Sequence, residues 1–215
     1  MKWLDRVLSN QRKSRLPLKA ELQRKSIHVL MALVLLVLHQ TCSRSFIVGL
    51  MVTLSILAGL FEWLRIQANP LAIRLQQQFA FLMRPMELES SVNRIHLIGA
   101  TWVLWSLALL TWLFPMNMVI SCYAMFLIAD GMAAIFGKWL GTHNWPNSKK
   151  TFEGSLAFFL SGLATLAFFQ ANLLVACIAV LLAALAEIPE KPFDDNFRVP
   201  LVATTVYFVA ERLLG

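Results

Sequence analysis

With 215 residues, 58% of them hydrophobic and 14% charged, the chain lies well below the roughly 25% charge of an ordinary soluble domain. A soluble helical protein of this composition would have to hide too many helices that are apolar all round. The net charge of +7 could point to nucleic acid, but the basic residues collect at the ends of apolar runs, where membrane topology accounts for them, so no nucleic-acid partner is expected.

Residues 1–25 form a basic N-terminal segment, and residues 26–215 read as one membrane-embedded domain. Apolar segments run over roughly 26–40, 45–62, 95–113, 117–136, 155–170, 173–187 and 199–213. The fold class expected is therefore all-α: a polytopic membrane bundle of about seven transmembrane helices. The first segment follows a long polar and basic stretch and ends in His39-Gln40-Thr41-Cys42, with no small-x-small cleavage site, so it reads as a retained helix. Several segments fall short of the roughly 20 residues a perpendicular span needs, which a compact bundle or a locally thinned bilayer tolerates. Pro115 with Asn117, and Ala171 with Asn172, mark tight turns between antiparallel neighbours.

Sidedness follows from the basic residues. Placing the N-terminus in the cytoplasm puts every lysine and arginine except Arg44 and Arg212 on the inner side. The connector from about 63 to 94 carries Leu71, Leu75, Phe79 and Leu82 at helical spacing, an amphipathic helix lying near the inner interface that Pro70 starts and Pro85 ends. A spacer packed on the bundle is the preferred reading of it. Cys42, Cys122 and Cys177 have no zinc spacing and behave as small hydrophobes. Trp63, Trp139 and Trp145 fit interfacial positions.

This topology gathers the polar residues on the inner face. Asp130 sits within an apolar run about six residues before its inner end, where a carboxylate is retained only if it meets water, a metal or a partner charge. Its oxygens suit a hard cation such as Mg²⁺ shared with nucleotide phosphates; a structural ion pair is the plainer reading. Gly131, Ala133, Ala134, Gly137 and Gly141 permit close approach of a helix or a ligand. In the following loop Lys149 and Lys150 can neutralise phosphate oxygens, and Thr151 and Ser155 can donate hydrogen bonds beside a helix N-terminus. Glu153 is a weaker ligand candidate and can instead pair with a lysine; Lys138 and Gly154 flank the same stretch. The chain lacks the GxxxxGK[ST] phosphate loop and the glycine-rich dinucleotide pattern.

Glu187, Glu190, Asp194 and Asp195 lie close together near Lys191 and Arg198. One or two of these acids can complete a metal site with Asp130, or one can accept a hydroxyl proton. Glu187 and Asp195, with Asn196, are nearest helix ends and are preferred; Glu190 and Asp194 read as solvated loop charges. Arg24, Lys25 and His28 mark the inner start of the first span, where His28 can bind phosphate, orient a substrate hydroxyl or bond to a neighbouring helix. His39, His96 and His143 have no companions at metal-ligand spacing.

Three blocks then carry a resemblance. They are Arg24-Lys25-Ser26-Ile27-His28; the stretch from Asp130-Gly131-Met132-Ala133-Ala134-Ile135-Phe136-Gly137-Lys138-Trp139-Leu140-Gly141 to Lys149-Lys150-Thr151-Phe152-Glu153-Gly154-Ser155; and Glu187 with Asp195-Asn196-Phe197-Arg198-Val199-Pro200-Leu201. In this order they resemble the CTP-dependent lipid-alcohol kinases: dolichol kinase, phytol and farnesol kinases and the yeast-type diacylglycerol kinase. The resemblance implies transfer of the CTP γ-phosphate to a membrane lipid alcohol with a divalent ion. It implies catalytic roles for Asp130, Lys149, Lys150, Glu187 and Asp195, and a metal held by Asp130, Glu187 and Asp195. Nucleotide handling falls on the central block, and contact with substrate or phosphate on Arg24, Lys25, His28 and Asn196. Lys138-Trp139-Leu140 departs from the more basic stretch common in the family. The chain also lacks the extra N-terminal spans of dolichol kinase, so the phytol-kinase-like or small diacylglycerol/polyprenol-kinase-like branch fits better. The central block resembles phosphatidate cytidylyltransferase as well, a second enzymatic reading; a non-catalytic scaffold or small transporter is the third. The expected location is a bacterial plasma membrane with the site facing the cytoplasm, an organellar membrane being the alternative, and the oligomeric state is left open.

Overall fold

The computed structural model describes residues 18–88, 96–189 and 193–214. The described residues are all-helical apart from one isolated antiparallel bridge, Asn144 with Thr151. The helices are α1 (Leu18–Thr41), α2 (Arg44–Ile66), α3 (Pro70–Gln78), α4 (Pro85–Leu88), α5 (Gly99–Leu113), α6 (Met116–Trp139), α7 (Phe152–Phe168), α8 (Leu173–Glu187) and α9 (Asp195–Leu214), with a 3₁₀ turn at Ala80–Leu82. Each apolar segment marked in the sequence is a helix. Two of them, α2 and α6, are long and apolar enough to cross a membrane. Helices α5, α7 and α8 have 15, 17 and 15 residues, short of a perpendicular span.

Helix α6 is central, packed by α1, α7 and α9, while α5 joins α2 to α9 and α8 joins α7 to α9. Its most apolar window is 72% buried, against 17% for α2, which lies on the periphery. The core is accordingly built around α6, from Val119, Tyr123, Phe126 and Leu127, against Phe158, Val180 and Val199. Such side chains hold the helices together by close van der Waals packing. Gly162 brings α7 close to its neighbours, since a β-carbon there would meet Val180 at 2.8 Å and Met125 at 3.2 Å.

Two turns share one construction. Helix α2 ends with Ala68 left-handed at φ 55°, its amide donating to Arg65 and that of Asn69 to Leu64. Helix α7 ends likewise at Gln170, φ 58°, with Ala171 donating to Leu166. These are Schellman closures, which satisfy the last carbonyls. The asparagine that follows, Asn69 or Asn172, then caps the next helix through its side-chain oxygen. A β-carbon in the left-handed region costs about 1–2 kcal/mol. Ala68→Gly is therefore expected to stabilise the protein by roughly 1 kcal/mol, read as a higher unfolding temperature in detergent.

Three local expectations are corrected. Pro85 opens α4 instead of ending a helix, because a proline at a first helical position gives up an amide that has no intrahelical partner anyway. The last helix begins at Asp195 rather than 199, because Asp194 Oδ1 accepts the amide of Asn196 and so caps it. Pro200 then lies inside α9 and deprives the Asn196 carbonyl of its helical partner. The Ser106 hydroxyl donates to that carbonyl at 3.1 Å and is hydrogen-bonded to Tyr123 at 2.6 Å, all within the buried core. Finally, α6 runs to Trp139, which sets Asp130 more than two turns inside the helix, deeper than the sequence implied.

Candidate functional site

One end of the bundle collects the ends of α2, α6 and α8 and the starts of α5, α7 and α9. Its centre is Lys150. Its ammonium donates to Glu187 Oε1 at 2.6 Å and to Asp195 Oδ2 at 3.1 Å. The other oxygen of Asp195 receives Arg84 Nη2 at 3.4 Å, while Arg84 Nη1 donates to Asp194 Oδ2 at 2.9 Å. Asp195 thus bridges two cations delivered by two separate connectors. Burial alone would lower the proton affinity of Lys150, but Glu187, Asp195 and Asp130 outweigh it and hold the ammonium above its ordinary value. Arg84 is governed in the same way by Asp195, Asp194, Glu87 and Asp130. Asp130 is buried and within electrostatic reach of both cations. Lys150 keeps a side-chain exposure of 32%, so the centre is open to solvent on one side. Asp194 is pushed up to about 6 by burial and by its neighbour Asp195, partly offset by Arg84.

Lys150 reaches this position on a short hairpin between α6 and α7. The Phe152 amide donates to the His143 carbonyl and that of Trp145 to Lys150. Pro146 and a left-handed Asn147, φ 56°, turn the chain, and Ser148 N closes on the Trp145 carbonyl in the pattern of a type II turn. Ser148 Oγ then donates to the Ile188 carbonyl at 2.8 Å, tying the hairpin to the end of α8. Arg198 holds the other connector by donating to the carbonyls of Ala186, Phe193 and Pro189.

Much of the expected nucleotide-binding set builds this framework. Thr151 caps α7 by accepting the Gly154 amide at 3.1 Å. Glu153 accepts from Thr142 Oγ1 at 2.8 Å and lies 2.9 Å from His143 Nδ1, contacts with His143, its own backbone and Thr142 that hold its carboxyl well below the usual carboxylate range. Ser155 accepts from Trp145 Nε1 at 2.9 Å, and Trp145 stacks on Phe152 at 3.7 Å, so this tryptophan also holds the hairpin together. A β-carbon on Gly137 would meet Thr151 Oγ1 at 3.0 Å, and one on Gly154 would meet the Ala133 carbonyl at 3.1 Å. Gly141 is tighter still, 2.8 Å from Thr151 Cγ2. These glycines let α6 and α7 touch backbone to backbone. Gly131 differs: it is buried, yet a β-carbon there would meet nothing within 4 Å beyond its own helix.

Asn196, expected to contact substrate or phosphate, is buried, donates Nδ2 to Asp194 at 2.7 Å and lies against Gly99. Lys138 and Lys149 are exposed on the rim of this end. Arg24, Lys25 and His28 fall on α1, and their side chains, like Glu190 and Lys191, lie outside the described residues.

Two residues of the centre escaped the sequence reading. In the sequence Arg84 stands only as one of the inner charges, and Asp194 reads as a solvated loop charge, whereas it accepts from Arg84. The one available signal for Arg84 was its place immediately before a helix-opening proline. Its presentation depends on a buried network next door. Glu62 Oε2 accepts from Arg65 Nε at 2.8 Å, and Glu62 Oε1 accepts from the Ile98 amide and from Thr101. Arg65 also donates to the carbonyls of Glu87 and His96. Glu87 in turn accepts the amides of Arg84 and Gly99, capping two helices with one carboxylate.

Among the described residues, no three His, Cys, Asp or Glu side chains converge as a metal cage, and Glu187 and Asp195 each commit an oxygen to Lys150. Asp195 gives its second oxygen to Arg84, so a divalent ion on Asp130, Glu187 and Asp195 would have to share oxygens with these cations, although Mg²⁺ needs only one or two carboxylates plus substrate phosphates. No family model, curated protein or solved structure matches the chain.

Proposed function

We propose that the chain is a polytopic membrane protein with its N-terminus in the cytoplasm, and that its polar end is the catalytic site of a CTP-dependent lipid-alcohol kinase. The membrane reading is supported by the apolar surface of the bundle, where α1 exposes Leu30, Leu33 and Val37 and α2 exposes Ile56, Leu57 and Leu60. An apolar face of that extent marks a membrane or partner interface. The polar groups cluster at one end, which lets the short helices sit with that end at the headgroup level.

The observation that carries the enzymatic reading is Lys150 held between Glu187 and Asp195, with Arg84 on the second oxygen of Asp195. Two cations fixed by carboxylates and open to solvent on one side can stabilise charge on a transferred phosphoryl group without reorganising. A divalent ion, when bound beside Asp130, Glu187 and Asp195, would neutralise the nucleotide phosphates. Lys150 and Arg84 position the phosphoryl oxygens. One of the carboxylates gathered at this end would accept the proton of the lipid hydroxyl. The choice of CTP and of a lipid alcohol rests on the resemblance of the three sequence blocks.

The test is label transfer from CTP radiolabelled at the γ or the α position, with diacylglycerol, phytol, undecaprenol and phosphatidate as acceptors. Label passing to an alcohol from the γ position alone is the expected result. Label passing from the α position to phosphatidate would make the protein a cytidylyltransferase instead. Absence of transfer from either position to any acceptor would leave the scaffold or transporter reading.

A further inference from the structure

Helix α3 does not pack its apolar stripe on the bundle, as the preferred spacer reading implied. The residues it buries are Ala72 and Gln76, and Gln76 Nε2 donates to the Leu88 carbonyl at 3.2 Å. The apolar stripe stays outside: Leu71 is 64% exposed, Leu75 37% and Phe79 52%. At about 100° per residue this stripe flanks the buried one, and Arg74, Gln77 and Gln78 form the remaining side, all exposed. The helix thus has three sides: one on the protein, one apolar and unpartnered, one polar. That is the profile of a helix lying in a membrane interface, with its apolar side at the headgroup–acyl boundary and its polar side in water.

The apolar side is also continuous with the flank of α2. Ile56, Leu60 and Trp63 are exposed along that helix, and the Schellman turn at Ala68 leads directly into Leu71. Beyond α3, Phe81 and Met86 carry the exposed apolar surface up to and past Arg84. A tryptophan at the bend between a lipid-facing helix and an interfacial one sits at the depth that aromatic side chains favour.

We infer that the connector Pro70–Leu82 lies in the headgroup–acyl boundary of the cytoplasmic leaflet, so that the bilayer itself covers Leu71, Leu75 and Phe79. This rests on the membrane reading above. Its consequence is that the segment delivering Arg84 to Asp194 and Asp195 is seated on lipid, beside the place where a lipid hydroxyl would arrive.

The experiment uses the full chain with Cys42, Cys122 and Cys177 replaced by alanine, reconstituted in vesicles of phosphatidylcholine and phosphatidylglycerol. Single cysteines replace Leu75, Phe79, Gln77 or Ile56 and carry an environment-sensitive fluorophore. Labels at 75 and 79 are expected to be quenched several-fold more by nitroxide lipids labelled near the headgroup than by aqueous iodide, with the reverse order at 77. If iodide quenches 75 and 79 as strongly as 77 while 56 responds only to lipid, the connector faces water and the inference fails alone. If 56 is also quenched by iodide, the membrane reading falls with it. If neither quencher reaches 75 and 79, another protein surface covers them and the inference is overturned.

Discussion

Lys150→Met is expected to lower phosphoryl transfer by roughly 10²–10³-fold, the usual consequence of removing one preorganised donor from a developing negative charge. The side chain cannot be replaced by water without loss, because its two carboxylate partners fix it in place before any ligand arrives. Removing it also strands Glu187, which is buried. Some of the loss could then be structural, and a companion variant separates the two effects. Lys150→Met combined with Glu187→Gln removes the stranded charge, so the unfolding temperature should recover while transfer stays low. Lys150→Arg keeps the charge but changes its shape, and intermediate activity is expected. Full activity in Lys150→Met protein that inserts normally would remove this lysine from the mechanism.

The largest effect on stability is expected at Arg65→Ala. Arg65 and Glu62 are both almost wholly buried, and the guanidinium serves one carboxylate and two main-chain carbonyls. Breaking a buried pair from one side costs about 3–5 kcal/mol, because the remaining charge has no water to turn to. An apolar double replacement often rescues an isolated buried pair. Here it should not, since Glu62 also accepts the Ile98 amide and Thr101, and both would be orphaned. Chemical or thermal unfolding in detergent of Arg65→Ala and of Glu62→Leu/Arg65→Met reads this directly. Full recovery in the double variant would show that the pair acts alone and not as the keystone of the α2–α5 junction.

The sequence was most legible where a single physical rule governs. Long apolar runs had to be helices, and alternation of their direction had to bring Lys150, Glu187 and Asp195 to one end, where the structure joins them. Arg84 was not legible, because its position follows from Glu87 capping two helices across a connector, a contact no local pattern encodes. Thr151, Glu153 and Ser155 illustrate the converse difficulty. Their chemistry is that of phosphate ligands, and it is equally that of a helix cap, a turn staple and a partner for an indole. Spacing could not separate these uses; only the partner atoms do. The amphipathic pattern of α3 marks a helix, but periodicity finds stripes without saying which of two adjacent stripes meets protein.

Gly137 and Gly154 abut with no side chain between them. Contact of this kind between α6 and α7 offers few rotamers that could slacken, the Thr151 side chain being the one that touches both positions. Asp130 on the first helix and the Lys150 hairpin feeding the second are consequently gauged against each other by main-chain geometry. A methyl group introduced at Gly154 would need no contact with a ligand to be felt, since the Ala133 carbonyl, 3.1 Å from it, would have to give by a few tenths of an ångström.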